Sequence, residues 1–396
     1  MKKISLKPLR SYNPFFPSPD EFAEFMGANV SVRNKVKTFA PLMDIEVNIA
    51  DRSLDNLGNT GVSLKTASTL AENVLTYLRR VNLRFPNLFK LRRLMAADVG
   101  IYWEQAIEGY RCSQDPTGNE LELNLAYIEN FIKTRQRDIQ PQLDILRKHR
   151  GKKSTPDFEL IAELYSLVLP KTRLITLEQE TVFNIFKEGL HHGKLVPEDE
   201  AALLLFINDF NLSLLATVDH TLIDYYERYL REQRICVSSA SKWPSSGIIY
   251  DVFTQDGTTY FDRFISYLKW FSGKSYTELA EAVPVTRSGK EKGEEDLEAN
   301  DSGRLLIDIQ KETLKDWRKG KTRPSIEKLN GFFSELKLLN TLDLSLYGVI
   351  FLGIDKYIAK MVNADQSKPQ KQELLEQVFS AEHYKRHYDK WKKLPD

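Results

Sequence analysis

Apolar residues recur every three or four positions along most of the chain, a spacing that suits α-helices and very little else. Leu64, Ala67, Leu70, Val74, Leu78 and Val81 fall on one helical face, with Pro86 beyond them to stop the helix. A second run passes through Leu91, Leu94, Ile101 and Ile107. Ser18-Pro19-Asp20-Glu21 reads as an N-cap, a first-turn proline and two first-turn acids, and Gly27 is placed to end that short helix. Asp115 to Asn119 forms a turn, followed by a helix from Leu121 to about Arg150 with a break or kink at Pro141. Thr155-Pro156 opens a helix through Leu169, and Thr176 with Gln179 makes a capping box for another ending near Gly193. His191 and His192 sit in its last turn, where cations suit the helix dipole. From Pro197 a Leu- and Phe-rich run continues to about Arg234. Strand-like alternation competes only over Gly247 to Phe261, where Asp256-Gly257 suits either a hairpin turn or the close of a short helix. The fold class is therefore all-α.

At 396 residues, the chain is longer than one hydrophobic core usually serves, so several domains are expected. The 56 basic and 55 acidic residues nearly cancel, so any pull toward a charged partner has to come from local patches. Gly151-Lys152-Lys153-Ser154-Thr155-Pro156 is the best internal boundary. It gives helical regions over 1–150 and 151–255, a separate domain over 256–340, and terminal helices over 341–396. Cys112 and Cys236 have no CxxC partner and read as core thiols in a reducing compartment. The N-terminus lacks the apolar run of a signal peptide, and Leu344 to Ile354 falls short of the ~20 residues of a membrane span. A cytoplasmic protein that does not enter a membrane is the expectation.

The most specific stretch is Leu314 to Leu329, LKDWRKGKTRPSIEKL. Leu314 and Trp317 lie three apart and share a buried helical face. Gly320 suits the left-handed conformation that ends a helix sharply, while Pro324 and Ser325 preset the next N-terminus, with Ile326 and Leu329 expected in the core. Lys311, Lys315, Arg318, Lys319, Lys321, Arg323 and Lys328 surround this joint against Glu312, Asp316 and Glu327, seven cations to three acids. A basic cluster beside a helix that fits a groove is what phosphate neutralisation requires.

With Ser275-Tyr276-Thr277-Glu278-Leu279-Ala280 before it, and the stripe Phe261, Phe264, Ile265 and Leu268 before that, this stretch resembles the lambda-repressor-like helix-turn-helix proteins. The likeness covers about 259–338. It implies a five-helix DNA-binding domain in which Leu279 and Ala280 point inward and Tyr276 touches phosphate. Lys311, Thr313, Lys315, Arg318, Lys321 and Arg323 would make the remaining contacts. Duplex DNA is the implied partner, bound by a homodimer to which the apolar 344–354 segment contributes, in a regulatory or mobile-element or defence setting. Two features depart from the family pattern. Pro284 stands where the turn between the second and third helices usually has Gly, and the polar loop 286–303 follows it, with three cations against six acids. Glu312 and Asp316 also point outward on the third helix, where they repel phosphate. Two alternatives therefore stand beside DNA binding: a scaffold whose helix-turn-helix docks a protein partner, and an N-terminal enzyme or toxin steered by a DNA-binding domain.

Elsewhere, Lys133, Arg135, Arg137, Arg147, Lys148, Arg150, Lys152 and Lys153 outnumber Asp138 and Asp144, which reads as a solvated helix face and linker or an anion-binding surface. His383 and His387 share a helical face, but their lysine neighbours favour an exposed basic helix over a metal site. Asp219 beside His220 is an ordinary coincidence on an amphipathic helix. The sequence offers no phosphate loop, dinucleotide fingerprint, hydrolase elbow or zinc-protease motif, and so assigns no catalytic residue, metal or cofactor.

Overall fold

The computed structural model describes residues 16–27, 31, 33–34, 50–63, 65–66, 68, 99–113, 123–149, 197–232, 234, 243–285, 306–336, 344–363 and 368–393. Thirteen α-helices account for most of them. The helices expected over 155–169 and 176–193, most of the one over 63–81, the turn at 115–119, the 151–156 boundary, the 286–303 insert, Cys236 and the side chain of Cys112 lie outside the described residues. Among the described residues, no helix is long and apolar enough to cross a membrane. The chain divides into two compact units, one of Met1–Glu24, Ala28–Tyr225 and Arg386–Asp396, the other of Phe25–Gly27 and Tyr226–Lys385.

The helices α1 (Pro19–Phe25), α2 (Asp51–Gly58), α3 (Val99–Ser113), α4 (Ala126–His149) and α5 (Pro197–Glu232) supply most of the first unit. Helix α1 starts on a full capping box, in which the Ser18 amide donates to Glu21 Oε2 at 2.7 Å and the Glu21 amide to Ser18 Oγ at 3.2 Å. The aromatic centre is Phe210, with Phe131, Phe16 and Trp103 at 5.1, 5.8 and 5.8 Å between ring centroids. Helix α4 runs from Ala126 to His149 without a break at Pro141. Arg135 corrects the reading of the basic run: it is buried and paired with Asp209 at 2.5 Å, because α4 turns that position toward the core.

The second unit holds α6 (Ile248–Phe253), α7 (Tyr260–Ser272), α8 (Tyr276–Glu281), α9 (Leu306–Arg318), α10 (Ile326–Leu336), α11 (Ser345–Asn363) and α12 (Lys368–Val378). Helix α6 stands where a hairpin was one of two expectations. Ile248, Ile249, Val252 and Phe253 are all buried, and that spacing places them on one side of a helix, whereas a strand would split them between two faces. Helix α7 is the hub, packed by α6, α9 and α11. Its first two amides, those of Tyr260 and Phe261, donate to Asp355 Oδ1 and Oδ2 of α11 at 2.8 and 3.0 Å. Phe264 of α7 meets Phe351 and Phe333 at 5.0 and 5.8 Å. A Cβ on Gly353 would lie 2.8 Å from the backbone of Met26, so only glycine admits that approach.

Two sequence expectations change here, those for Ile326 and for the last helix. Ile326 is 60% exposed rather than core, since α10 packs through Leu329, Phe332, Phe333 and Leu336 and its first residue projects past that face. The apolar part of α11 buries Tyr347, Ile350, Phe351 and Ile354 within the chain, which leaves Leu346 as its exposed large apolar residue. The last helix, α13 (Ala381–Trp391), is amphipathic rather than an exposed basic rod: Tyr384, His387, Tyr388 and Trp391 are buried, with Lys385 exposed.

Candidate nucleic-acid interface

The candidate interface is built on α7, α8, α9 and the joint into α10. Helix α8 begins on a second capping box: the Ser275 amide donates to Glu278 Oε2 at 2.6 Å and the Glu278 amide to Ser275 Oγ at 3.3 Å. Those bonds hold the Glu278 carboxyl below its usual range. Leu279 and Ala280 are fully buried, and on α9 Leu314 and Trp317 are buried as their spacing predicts. Gln310 of α9 donates to Glu281 O and Val283 O at 2.9 and 3.0 Å. These bonds satisfy the carbonyls at the end of α8, just before Pro284, and tie the two helices together directly.

At the end of α9 the chain makes a Schellman closure. The Gly320 amide donates to Trp317 O at 3.1 Å and the Lys321 amide to Asp316 O at 3.0 Å, with Gly320 at φ 65°. Where an apolar contact often seals this motif, Lys321 Nζ lies 3.6 Å from Asp316 Oδ1. The next helix is capped at once by Ser325, whose Oγ accepts from the Lys328 amide at 3.3 Å. Lys319, Lys321 and Arg323 between the two helices are all exposed.

The residues expected to touch DNA fall into two groups. Lys311, Lys315, Lys321 and Arg323 are exposed; Lys311 and Lys315 lie four residues apart on α9, and Lys319 follows four residues later in the joint. Tyr276, Thr313 and Arg318 are half-buried and bonded to neighbouring groups of the same unit. Tyr276 Oη and Ser266 Oγ are 3.1 Å apart, and the ring carries Arg318 at 3.9 Å and Lys269 at 4.7 Å. Arg318 Nε donates to Asp262 Oδ1 at 2.6 Å, while Thr313 donates to Ile309 O at 2.8 Å within its own helix. Asp262 also accepts from the Thr258 amide at 3.0 Å, and Thr259 Oγ1 donates to Arg318 O at 3.1 Å. Asp262 and Thr259 are thus positioning residues that sequence reading passed over; Thr-x-x-Asp at the start of α7 was the available signal, a cap spacing. Glu312 is exposed among the lysines of α9.

Two carboxyls of this unit titrate high. Burial pushes Asp355 up to about 6 against the opposing pull of its two amide donors and Arg323, and burial alone pushes Asp251 to about 6. The first unit carries a different polar arrangement, a seam along α5. Ser213 Oγ lies 2.9 Å from His387 Nδ1, and His220 Nε2 lies 2.8 Å from Tyr388 O, with the His220 and Tyr388 rings stacked at 3.9 Å. Burial opposes ionisation of Asp209, yet Arg135, His387 and Lys390 outweigh it and hold that carboxyl low. Burial also lowers His220, against the pull of its bond to the Tyr388 carbonyl, and so disfavours the charged imidazolium. Asp209, Ser213, Asp219, His220 and His387 are all buried, so solvent does not reach this set. His387 is engaged by Ser213, and among the described residues no group of three or more His, Cys, Asp or Glu side chains is placed to hold a metal. No family model, curated protein or solved structure matches the chain.

Proposed function

We propose that α7 to α10 belong to a lambda-repressor-like helix-turn-helix domain and that the chain binds duplex DNA through α9 and the basic joint after it. The observation that carries this reading is the exposed set of Lys311 and Lys315 on α9 with Lys319, Lys321 and Arg323 in the joint after it, while α9 is buried on its other side through Leu314 and Trp317. Exposed lysines and arginines at a helix end can displace counterions from phosphates without the cost of desolvating a buried charge. The Lys321–Asp316 pair is largely solvent-exposed on the lysine side and opposes this little. Tyr276 and Arg318 act here by fixing α8 against α9, and Thr313 by bracing α9 itself.

The test is fluorescence anisotropy with a labelled duplex. Lys321→Ala with Arg323→Ala lowers the dependence of log affinity on log salt by about 1 for each phosphate no longer neutralised, and Glu312→Gln tightens binding by removing a repelling carboxylate. A second reading draws on Glu312 itself, an exposed acid on the face that would meet phosphate: the same surface docks a protein partner. Under that reading, both variants leave duplex binding untouched.

A further inference from the structure

On the α7 side of Tyr276 the second unit has an open cleft of about 780 Å³, within the size range of small-molecule sites. Gln255, Thr258, Lys269, Trp270, Lys274 and Tyr276 are among the residues that line it. Two of its charged lining residues, Arg318 and Asp262, are committed to each other at 2.6 Å, with Thr258 also donating to Asp262. The charge then offered to a ligand comes from Lys274 and from Lys269, whose ammonium also stands 4.7 Å from the Tyr276 ring centroid, opposed by Asp256.

The aromatic side is as distinctive. Trp270 is 44% exposed, whereas Trp103, Trp317 and Trp391 are all under 10%. Exposing a large indole forgoes one of the largest burial gains a side chain can make. Tyr276 forms a second aromatic surface in the same cleft, with Arg318 and Lys269 over its ring, whereas Trp270 meets Tyr267 at 5.8 Å between ring centroids and still keeps 44% of its surface exposed. A half-open indole beside two lysines matches a ligand that is flat at one end and anionic at the other.

We propose that this cleft binds a single unpaired nucleotide, its base stacked on Trp270 and its phosphate held by Lys269 and Lys274. Stacking on an indole suits any base, and two ammonium groups act as point charges on a phosphate without demanding one geometry. The site is therefore tolerant of base identity and sensitive to salt. Such a nucleotide comes either as a free monophosphate or as an unpaired residue in a strand. The inference does not rest on duplex binding, because Trp270 and the two lysines are none of the residues assigned to that surface.

The experiment titrates the full chain with AMP, with inorganic phosphate and with an eight-residue oligothymidylate, following tryptophan fluorescence and confirming by calorimetry. AMP binds and quenches, and inorganic phosphate binds more weakly. Trp270→Ala costs roughly five- to a hundred-fold in AMP affinity, the range seen when one base loses its aromatic platform, while Trp270→Phe recovers part of it. Lys269→Ala with Lys274→Ala weakens AMP and phosphate together and flattens the salt dependence. Tighter binding of the oligonucleotide than of AMP, lost with Trp270→Ala, assigns the site to a strand; equal or weaker binding assigns it to the free nucleotide. Absence of AMP and oligonucleotide binding at millimolar concentration, or binding unchanged in Trp270→Ala and in the lysine pair, overturns the proposal. Trp270 is half-exposed, so circular dichroism of Trp270→Ala should match the parent and keep the comparison clean.

Discussion

Arg135 on α4 and Arg318 on α9 both come from basic runs, and both are paired with an aspartate. Arg135 meets Asp209 where both side chains are about 4% exposed, under Phe131 and Phe210. Arg318 meets Asp262 with 27% of its side chain still in solvent and its guanidinium over Tyr276. The first run therefore gives one of its cations to the core, while the second keeps Lys311, Lys315, Lys321 and Arg323 outside. A run of like charge in a sequence does not by itself define a surface; the helix phase decides which members reach water.

The comparison breaks most visibly at the buried pair. Arg135→Ala leaves Asp209 buried without its counter-charge and should destabilise the first unit by about 3–5 kcal/mol, whereas replacing both residues with apolar ones of similar volume should cost much less. Chemical denaturation followed by circular dichroism measures both. Trp317→Ala has an effect of similar size on the second unit, about 3–5 kcal/mol, because it removes a buried aromatic that packs on Phe332. Gly320→Ala should cost less, about 1–2 kcal/mol, the strain of a Cβ in the left-handed region, because the nearest atom to that Cβ, 3.5 Å away, leaves room for it.

A pH titration sharpens the same contrast. Asp355 and Asp251 have folded values of about 6 against an ordinary 3.8, so the folded unit holds their protons more tightly. Their contribution is fully present below about pH 4 and is lost as pH rises through about 6. Between those limits, the second unit should lose stability with rising pH, and Asp355→Asn with Asp251→Asn should flatten that slope. Asp209 in the first unit carries the opposite sign: held low by Arg135, it adds stability above its unfolded value that is lost on acidification. At the small end, Lys321→Ala with Arg323→Ala should change stability by no more than about 0.5 kcal/mol per site, as exposed side chains do.

Much of the helical layout was legible because capping is local chemistry. Ser18, Ser275 and Gly320 act where they stand, and the residues that complete their caps are three to five positions away. The buried pair Leu314 and Trp317 followed from helical phase alone. What escaped was long-range. The union of Arg135 with Asp209 spans 74 residues and that of Asp262 with Arg318 spans 56, so neither carries a local signature. The same holds for Asp355, which caps α7 from 95 residues away. Ile326 failed for a different reason: its spacing to Leu329 was right, but periodicity does not tell where along a helix the packing partner ends.

The measurement that bears most directly on the account is the salt dependence of duplex binding by the full chain and by a variant with Lys311, Lys315, Lys321 and Arg323 all replaced by alanine. The parent should bind at low salt and lose affinity by about 0.9 log units per log unit of salt for each phosphate neutralised, and the variant, which keeps Lys319, should bind weakly with a much flatter profile. A parent that fails to bind duplex at low salt, or a variant with an unchanged slope, would contradict the account.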